Sequence, residues 1–415
     1  MATSKSARLV PRRARRVYRT LRAERRTLQQ GVAALALSTG AGFVAGLILG
    51  SITGTLELLP GLLVLIPASV GMRGMIFGAM GARLGTGIAA GVFEPTLRRD
   101  GLLARNVEVA IISAVLSSFY LAAMAKLVAS AFGEDTVSLW DLVTISVVGG
   151  VLASGVILVV TVVLAVQSFR RGWDLDAVST PMVTAIGDMI TLPALFLATF
   201  VARNDALNAV VATACAAAAF GTLAWALVRS SAEVRRTLLE MAGVSALAPL
   251  LDIFAGAVLE AHRTELEAIP GILILIPPFV SQAGAIGGIL SARLSSKLQL
   301  GVITPRGRPE RPAVVDATLV VALGVVVFAV IGVVAASLAS LTGVARPPAG
   351  LMLGGTVLAG VLVLPITLFV GYYVAVLTTR FGLDPDNHGV PTITATMDLS
   401  GVAAVLFVMS VLGVT

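Results

Sequence analysis

The chain has 415 residues, of which 57% are hydrophobic and 13% are charged, and its mean hydropathy is +0.96. These values exclude a soluble globular protein and indicate a protein that crosses a lipid bilayer several times. The formal net charge of +7 is concentrated at the start of the chain, where residues 1–30 contain ten lysines and arginines.

The basic segment 1–30 is predicted to be a cytoplasmic tail. Such a cluster can bind anionic lipid or nucleic acid, but it is also the ordinary signal that keeps a terminus in the cytoplasm. We favour the topology signal and expect no nucleic-acid partner. No small-residue cleavage site follows a short apolar run, so we expect no signal peptide.

Crossing the hydrocarbon layer takes about 20 apolar residues. The sequence therefore predicts an all-α polytopic membrane protein with about eleven transmembrane helices, at 31–52, 58–91, 107–132, 140–167, 181–202, 206–228, 241–261, 268–301, 314–342, 350–378 and 391–413. Basic residues are concentrated in alternate loops. Of the 30 lysines and arginines, 22 lie on one predicted side, which indicates a multi-pass cell-membrane protein with the N-terminus in the cytoplasm and the C-terminus outside.

Two of these segments are too long for one simple crossing, and each contains proline and glycine near its middle, in "LIPASVGMRG" and "LIPPFVSQAG". We expect broken helices there, because such breaks are tolerated where the backbone is buried or faces a cavity. Freed carbonyls and nearby side chains could line an ion path, whereas the alternative is a kink made for packing. The residues concerned are Ser69, Gly71, Arg73, Ser281, Gln282 and Gly284.

An internal repeat organises the chain. Residues 60–95 align without a gap on residues 270–305, with 16 of 36 positions identical, and residues 174–198 align on 384–408 at the same offset of 210. We predict a first five-helix repeat at 31–203, a linker helix at 204–230 and a second repeat at 231–415. Because the linker helix returns the chain to its starting side, the repeats should be parallel, with a pseudo-two-fold axis along the membrane normal.

Each repeat places one acid inside its last apolar segment, Asp188 in the first and Asp398 in the second, with Thr184 and Thr394 one turn earlier. An acid at membrane depth is costly and normally faces a polar cavity or a cation. Oxygen ligands of this kind suit hard divalent cations, of which Mg²⁺ keeps most of its water. The alternative is a protonated aspartate bonded to a neighbouring helix, but its repetition favours a metal site. Asp252 could join this site.

Four further acids and an asparagine precede the same two helices. They could form an acidic vestibule that concentrates cations, or they could cap helices and complement their dipoles. These residues are Asp174, Asp176, Asp384, Asp386 and Asn387.

The repeats differ at several positions. Asp252 aligns with Gly42, which belongs to a glycine ladder that we interpret as a packing face, and Arg73 aligns with Ala283. A buried arginine needs a partner, so we predict that Arg73 pairs with Asp188 or Asp252. Arg83 and Arg293 are expected to extend towards lipid headgroups.

Cysteine and histidine are scarce. The lone cysteine, Cys215, excludes an intrachain disulfide and a thiolate cluster, and His262 and His388 offer little for zinc. We expect no bound cofactor.

The paired "PG[IL]L[IV]LIP" segments leading to "ARL", with "DPDN" and a later aspartate opening the last helix, resemble the membrane domain of MgtE-type magnesium channels. They resemble still more closely the fused two-repeat proteins of solute carrier family 41. The resemblance covers residues 31–413. It implies that Asp188 and Asp398 lie on a pore axis and bind hydrated Mg²⁺ as the transported ion.

The resemblance also implies that one chain functions as a monomer, since family members with a single five-helix copy dimerise. Two features depart from the pattern. The short tail leaves no room for the cytoplasmic module that gates the bacterial channels, and "SVGMRG" replaces small and amide residues after the central proline.

Two other functions are compatible with paired membrane acids. A proton- or sodium-coupled exporter would use the same scaffold with different energetics. An intramembrane aspartyl protease also needs two aspartates, as acid and base, but its acids occupy different motifs, whereas here both occupy one repeat position. We therefore favour transport and predict no enzymatic activity.

Overall fold

The computed structural model describes residues 25–52, 59–98, 101–133, 136–171, 175–382 and 388–414. These residues form helices that we number in chain order: α1 Arg25–Ser51, α2 Leu62–Ala89, α3 Leu102–Ala131, α4 Leu139–Arg171, α5 Leu175–Ala202, α6 Asp205–Val228, α7 Ala232–Ala261, α8 Arg263–Ala268, α9 Pro270–Gln299, α10 Arg311–Leu341, α11 Ala349–Phe381 and α12 Val390–Val411.

Ten of the described helices, α2–α7 and α9–α12, are long and apolar enough to cross a membrane. Within α1, Ala36–Ser51 is a shorter apolar stretch. The chain is therefore an all-α, multi-pass membrane protein, as its composition predicts, with ten full-length candidate spans and one shorter one.

Helices α1–α5 correspond to α7 and α9–α12 at the offset of 210. The turns repeat together with the helices. Gly91 and Gly301 follow α2 and α9 with φ of 71° and 68°, and Gly133 and Gly343 follow α3 and α10 with φ of 73° and 69°. Because this backbone region strongly favours glycine, both halves end these helices with the same device. The sequence repeat is thus also a structural repeat.

The two repeats interlock through their first two helices. Helix α1 packs against α9 of the other repeat, and α2 packs against α7. A Cβ atom at Gly42 would lie 2.7 Å from Cα of Pro278, and one at Gly46 would overlap the carbonyl oxygen of Ile274. Gly256 makes the reciprocal approach to the backbone of Val64. The glycine ladder is therefore a packing face that lets helix backbones touch.

The prediction of broken helices in the two long segments is wrong. Helix α2 continues through Pro67, and α9 continues through Pro277 and Pro278. A proline removes one backbone hydrogen bond, and packing by neighbouring helices can hold the remaining turns in place. Pro278 has such support, because it lies directly against Gly42.

Arg83 and Arg293 bind inside the bundle rather than extending to headgroups. Arg83 Nε donates to Asn106 Oδ1 at 2.7 Å, and Arg293 Nε donates to Asp316 Oδ1 at 3.1 Å, at the same offset of 210. Lys297 also pairs with Asp316. These bonds attach α2 to α3 and α9 to α10, and so fix the helices that line the cavity described below.

Basic side chains collect at one end of the bundle, which we call the basic end. Arg105 at the start of α3 pairs with Glu233 at the start of α7, and Tyr372 of α11 donates to the carbonyl of Arg306 in the loop after α9. The described basic residues next to helix ends there are Arg98, Arg105, Arg170, Arg171, Arg229, Arg235, Arg236, Arg306, Arg308, Arg311 and Arg380.

Candidate functional site: a carboxyl-lined cavity between the repeats

A cavity of about 420 Å³ lies between the two repeats. Its wall comes from α1, α2 and α5 of the first repeat and α7, α9 and α12 of the second. The residues that carry its polar chemistry are Thr184, Asp188, Asp252, Ser281, Thr394 and Asp398. Both repeats therefore build one shared site.

Three carboxyl groups reach this cavity. Asp188 on α5 and Asp398 on α12 are each 7% exposed, and Asp252 on α7 is 2% exposed. Thr184 and Thr394 lie one turn before the first two acids and also face the cavity. The structure thus gathers the residues predicted as metal ligands around one space.

Asp252 and Asp398 lie within hydrogen-bonding distance of each other. Their approach depends on Gly71. A Cβ atom there would lie 2.5 Å from Oδ2 of Asp252 and 3.7 Å from Oδ2 of Asp398. The second oxygen of Asp252, Oδ1, has no hydrogen-bond partner among the described residues. It is therefore a buried acceptor that water or a cation can use.

Asp188 has different neighbours. The Ser281 hydroxyl donates to Oδ2 of Asp188 at 3.4 Å, and it also lies 3.0 Å from the hydroxyl of Ser38 on α1. At the offset of 210, Ser281 corresponds to Gly71 and Ser38 to Ala248. The second repeat thus places an acid beside Asp398, whereas hydroxyl groups lie beside Asp188.

Sequence reasoning missed Ser38. The only available signal was the unequal pair Ser38 and Ala248, and Ser38 lies within an apolar run where a serine gives no hint of its partner. Its role becomes visible once α1 is seen to pack across the repeat boundary onto α9.

The cavity wall at the end opposite the basic end is apolar. It consists of three pairs related by the offset of 210, all of them 5% exposed or less: Leu49 with Leu259, Ile66 with Ile276, and Leu192 with Val402. We call these six residues the apolar collar. Leu192 and Val402 lie one turn beyond Asp188 and Asp398, so the collar separates the acids from that end of the bundle.

Towards the basic end the wall is more open. Ala79 and Ala82 on α2 are half-buried and Thr86 is exposed, and all three line the cavity. At Gly74 and Gly78, one and two turns from the acids, an added Cβ atom would meet nothing within 4 Å. The acids are thus reached from the basic end and closed off at the collar.

Residues predicted to line an ion path divide into two groups. Gly71 and Ser281 line the cavity. Outside its wall lie Ser69, Arg73, Gln282 and Gly284. Because α2 and α9 are unbroken helices, only one face of each reaches the cavity, and Ser69, Arg73 and Gln282 are on other faces. Gly284 is on the same face as Ser281 but lies against Thr394 of α12.

The predicted ion pair of Arg73 is wrong. Among the described residues, Arg73 forms no salt bridge with any carboxylate. Its guanidinium donates to the carbonyl of Ser69 and lies against Gly150 and Ser118, away from the cavity.

The predicted vestibule lies outside what the structure describes. Asp174, Asp384, Asp386 and Asn387 belong to segments that are not described, and Asp176 lies in α5 without a described side chain.

Over the described residues, no three histidine, cysteine or acidic side chains converge closely enough to hold a metal ion directly. Two carboxyls close together with a third across a roomy cavity suit a cation that keeps water in its first shell. Mg²⁺ is typically held in this way, by one or two carboxylates with several waters retained.

Comparison with known proteins gives the family. Residues 66–198 and 276–408 both match the MgtE family, described as divalent cation transporter. The matches cover more than half of the chain and are separated by the repeat offset. The chain belongs to the MgtE family of divalent cation transporters.

Relatives of this MgtE-family chain include solute carrier family 41 member 3 of Mus musculus, which is 24% identical over 82% of this chain and 73% of its own length. Solute carrier family 41 member 2 of Mus musculus is 24% identical over 60% of this chain and 44% of its own length. No solved structure is a significant match.

Proposed function

We propose that the carboxyl-lined cavity binds a hydrated divalent cation, with Mg²⁺ as the physiological ion, and that the protein carries this ion across the membrane. The observation that supports this most is the meeting of Asp188, Asp252 and Asp398, from both repeats, in one buried cavity. Carboxyl groups at membrane depth are costly, and a divalent cation offsets that cost.

The cavity has room for such an ion. A water molecule occupies about 30 Å³ in the liquid, so six coordinating waters need about 180 Å³. The cavity volume of about 420 Å³ exceeds this requirement. In the proposed site Asp398 and Asp252 contact the hydrated ion from one side and Asp188, held by Ser281, from the other. The hydroxyl groups of Thr184 and Thr394 form hydrogen bonds with the waters of the ion.

We also propose that the basic end faces the cytoplasm, with the N-terminus inside and the C-terminus outside, because basic residues favour the cytoplasmic side. The predicted vestibule, which consists of the acids Asp174, Asp176, Asp384 and Asp386 together with Asn387, would then attract cations to the inner mouth. One chain supplies both halves of the site, which supports function as a monomer with domain boundaries near residues 31, 204 and 231.

The test is flux through the purified full-length protein in vesicles loaded with a Mg²⁺-sensitive dye. Asp398→Asn removes a charge while keeping size and shape, so Mg²⁺ flux should fall at least about tenfold, by analogy with the loss of a charged partner. Asp188→Asn should cause a smaller loss, since it leaves the close pair of Asp252 and Asp398 intact. Asp205→Asn, on the linker helix away from the cavity, is the control. Unchanged flux in both cavity variants would refute the site.

A coupled exporter on the same scaffold is the second candidate, favoured by the closure of the cavity at the apolar collar. A continuous pore would conduct without a second gradient. Flux that requires an imposed sodium or proton gradient would support the exporter, and flux driven by the Mg²⁺ gradient alone would support a channel or uncoupled carrier.

A further inference from the structure

A buried arginine that forms no ion pair with any described residue lies directly behind the cavity wall. Arg73 is 2% exposed and belongs to α2, between the cavity-lining residues Gly71 and Gly74. Its one hydrogen bond goes to the carbonyl of Ser69, and its Nε and Nη2 atoms have no partner among the described residues. Two donors of a buried cation are therefore left without a protein acceptor, which is an expensive arrangement.

The guanidinium occupies a slot on the face of α2 that points away from the cavity. A Cβ atom at Gly150 of α4 would lie 2.6 Å from Nη2 of Arg73 and would overlap the Ser118 hydroxyl. Any residue larger than glycine at position 150 would displace the guanidinium of Arg73 and the hydroxyl of Ser118. The slot is thus built around Arg73.

The second repeat fills the equivalent slot without any charge. At the offset of 210, Ser69 becomes Phe279, Arg73 becomes Ala283 and Ser118 becomes Phe328, while Gly150 is matched by Gly360. The two phenylalanine rings lie 4.7 Å apart and are fully buried, and Gly360 makes room for the ring of Phe328. Packing alone can therefore close this slot, so packing does not explain why the first repeat places an arginine there.

The remaining contribution of Arg73 is its charge. Charges act over long distances where no water screens them, and the buried acids that line the cavity on the other side of α2 are Asp188, Asp252 and Asp398. A site with three acids and no opposing charge would hold a divalent cation tightly. Transport requires binding that is strong enough to admit the ion and weak enough to release it.

We propose that Arg73 is a fixed positive charge that weakens divalent-cation binding in the cavity and so permits release of the ion. It acts through the acids and does not touch the ion, which makes it an affinity-setting residue rather than a ligand. This inference rests on the proposed function of the cavity.

The experiment measures Mg²⁺ affinity of the purified full-length protein by competition with Mn²⁺, together with the KM and kcat of Mg²⁺ flux in vesicles. Arg73→Met keeps a long unbranched side chain and removes its charge. We expect Mg²⁺ binding to tighten by about tenfold or more, as Coulomb's law predicts for removing a like charge near a divalent ion in a poorly screened site. KM and kcat should fall together. Arg73→Lys should restore both towards wild type.

A second variant separates charge from packing. The triple substitution Ser69→Phe, Arg73→Ala and Ser118→Phe installs the aromatic packing of the second repeat without the charge. It should show the same tighter binding as Arg73→Met. The direction of the effect is diagnostic, because structural damage to the site would weaken binding.

Unchanged or weaker Mg²⁺ binding in a folded Arg73→Met or triple variant would overturn the inference. Failure of both variants to fold would also overturn it, because the arginine would then serve the fold. Asp398→Asn in the same assay distinguishes this failure from failure of the site itself. If Asp398→Asn leaves binding unchanged, the proposed cation site is wrong, whatever Arg73 does.

Discussion

Gly71 shows how one missing side chain shapes the site. Because it has no Cβ atom, the carboxyl of Asp252 can cross the face of α2 and approach Asp398. In the second repeat the equivalent residue is Ser281, and the residue equivalent to Asp252 is Gly42, whose missing side chain makes room for Pro278 instead. At these two positions the first repeat therefore has glycine and the second has Asp252 and Ser281, so an acid lies beside Asp398 whereas a hydroxyl group lies beside Asp188.

This geometry predicts that Gly71→Ala impairs transport. The added methyl group would lie 2.5 Å from Oδ2 of Asp252, so it must push that carboxyl away from Asp398. We expect Mg²⁺ flux in vesicles to fall severalfold while the melting temperature changes little, since alanine favours the helix by about 1 kcal/mol over glycine.

The matched control is Gly74→Ala on the same helix and in the same cavity wall, where a Cβ atom would meet nothing within 4 Å. Flux should stay near the wild-type value. Equal effects of the two alanine substitutions would contradict a specific role for the contact between Asp252 and Asp398.

At the scale of helices, the cavity is closed at one end by the apolar collar and open at the other, near the basic end. Helix α2 contributes to both, because Ile66 belongs to the collar and Thr86 to the opposite, exposed end of the wall. Helices α5 and α12 each place an acid one turn from a collar residue. An ion held by the acids must therefore pass the collar pairs to leave at that end.

Thiol labelling tests this closure without measuring transport. With Cys215 replaced by alanine, Ser281→Cys puts the only cysteine in the cavity wall. A membrane-impermeant thiol reagent should react with it from the membrane face at the basic end and not from the collar face. Adding Leu192→Ala and Val402→Ala should allow reaction from the collar face as well, because both substitutions remove side chains that are 2% exposed or less.

The parent Ser281→Cys protein provides the control for this experiment. Labelling of that protein from the collar face, at a rate similar to labelling from the basic end, would contradict the closed collar.

Much of this arrangement could be predicted from the sequence, for identifiable reasons. Apolar runs set the helices, and a repeat at constant offset placed Asp188 and Asp398 at equivalent positions, as the structure has them. The direction in which each side chain points was harder to predict. Arg73 faces away from the acids because Ser69, Ser118 and Gly150 form a slot there, and those residues are far apart in the sequence. The prolines predicted helix breaks that the structure does not have. Pro278 is supported by Gly42, and a contact between residues so far apart in the sequence could not be predicted.

At the scale of the whole molecule, the two repeats form one interlocked unit. Helix α1 belongs to the first repeat by sequence but packs against α9 of the second, and α7 packs in return against α2. The cavity lies where these exchanged helices meet α5 and α12. The site therefore depends on the exchange, and neither repeat completes the cavity alone.

This dependence predicts that a single bulky residue on α1 disturbs the entire fold. Gly46→Leu would place its Cβ atom on the carbonyl oxygen of Ile274, and neither backbone can move without separating the repeats. Overpacking of this kind costs about 1–3 kcal/mol where side chains can adjust, and more where backbone must move. We expect a lower melting temperature and less folded protein on size-exclusion chromatography. Gly40→Leu is the control on the same helix, because a Cβ atom at residue 40 would meet nothing within 4 Å. It should leave the melting temperature and the amount of folded protein unchanged. If Gly46→Leu melted at the wild-type temperature, the contact between α1 and α9 could not be what joins the two repeats.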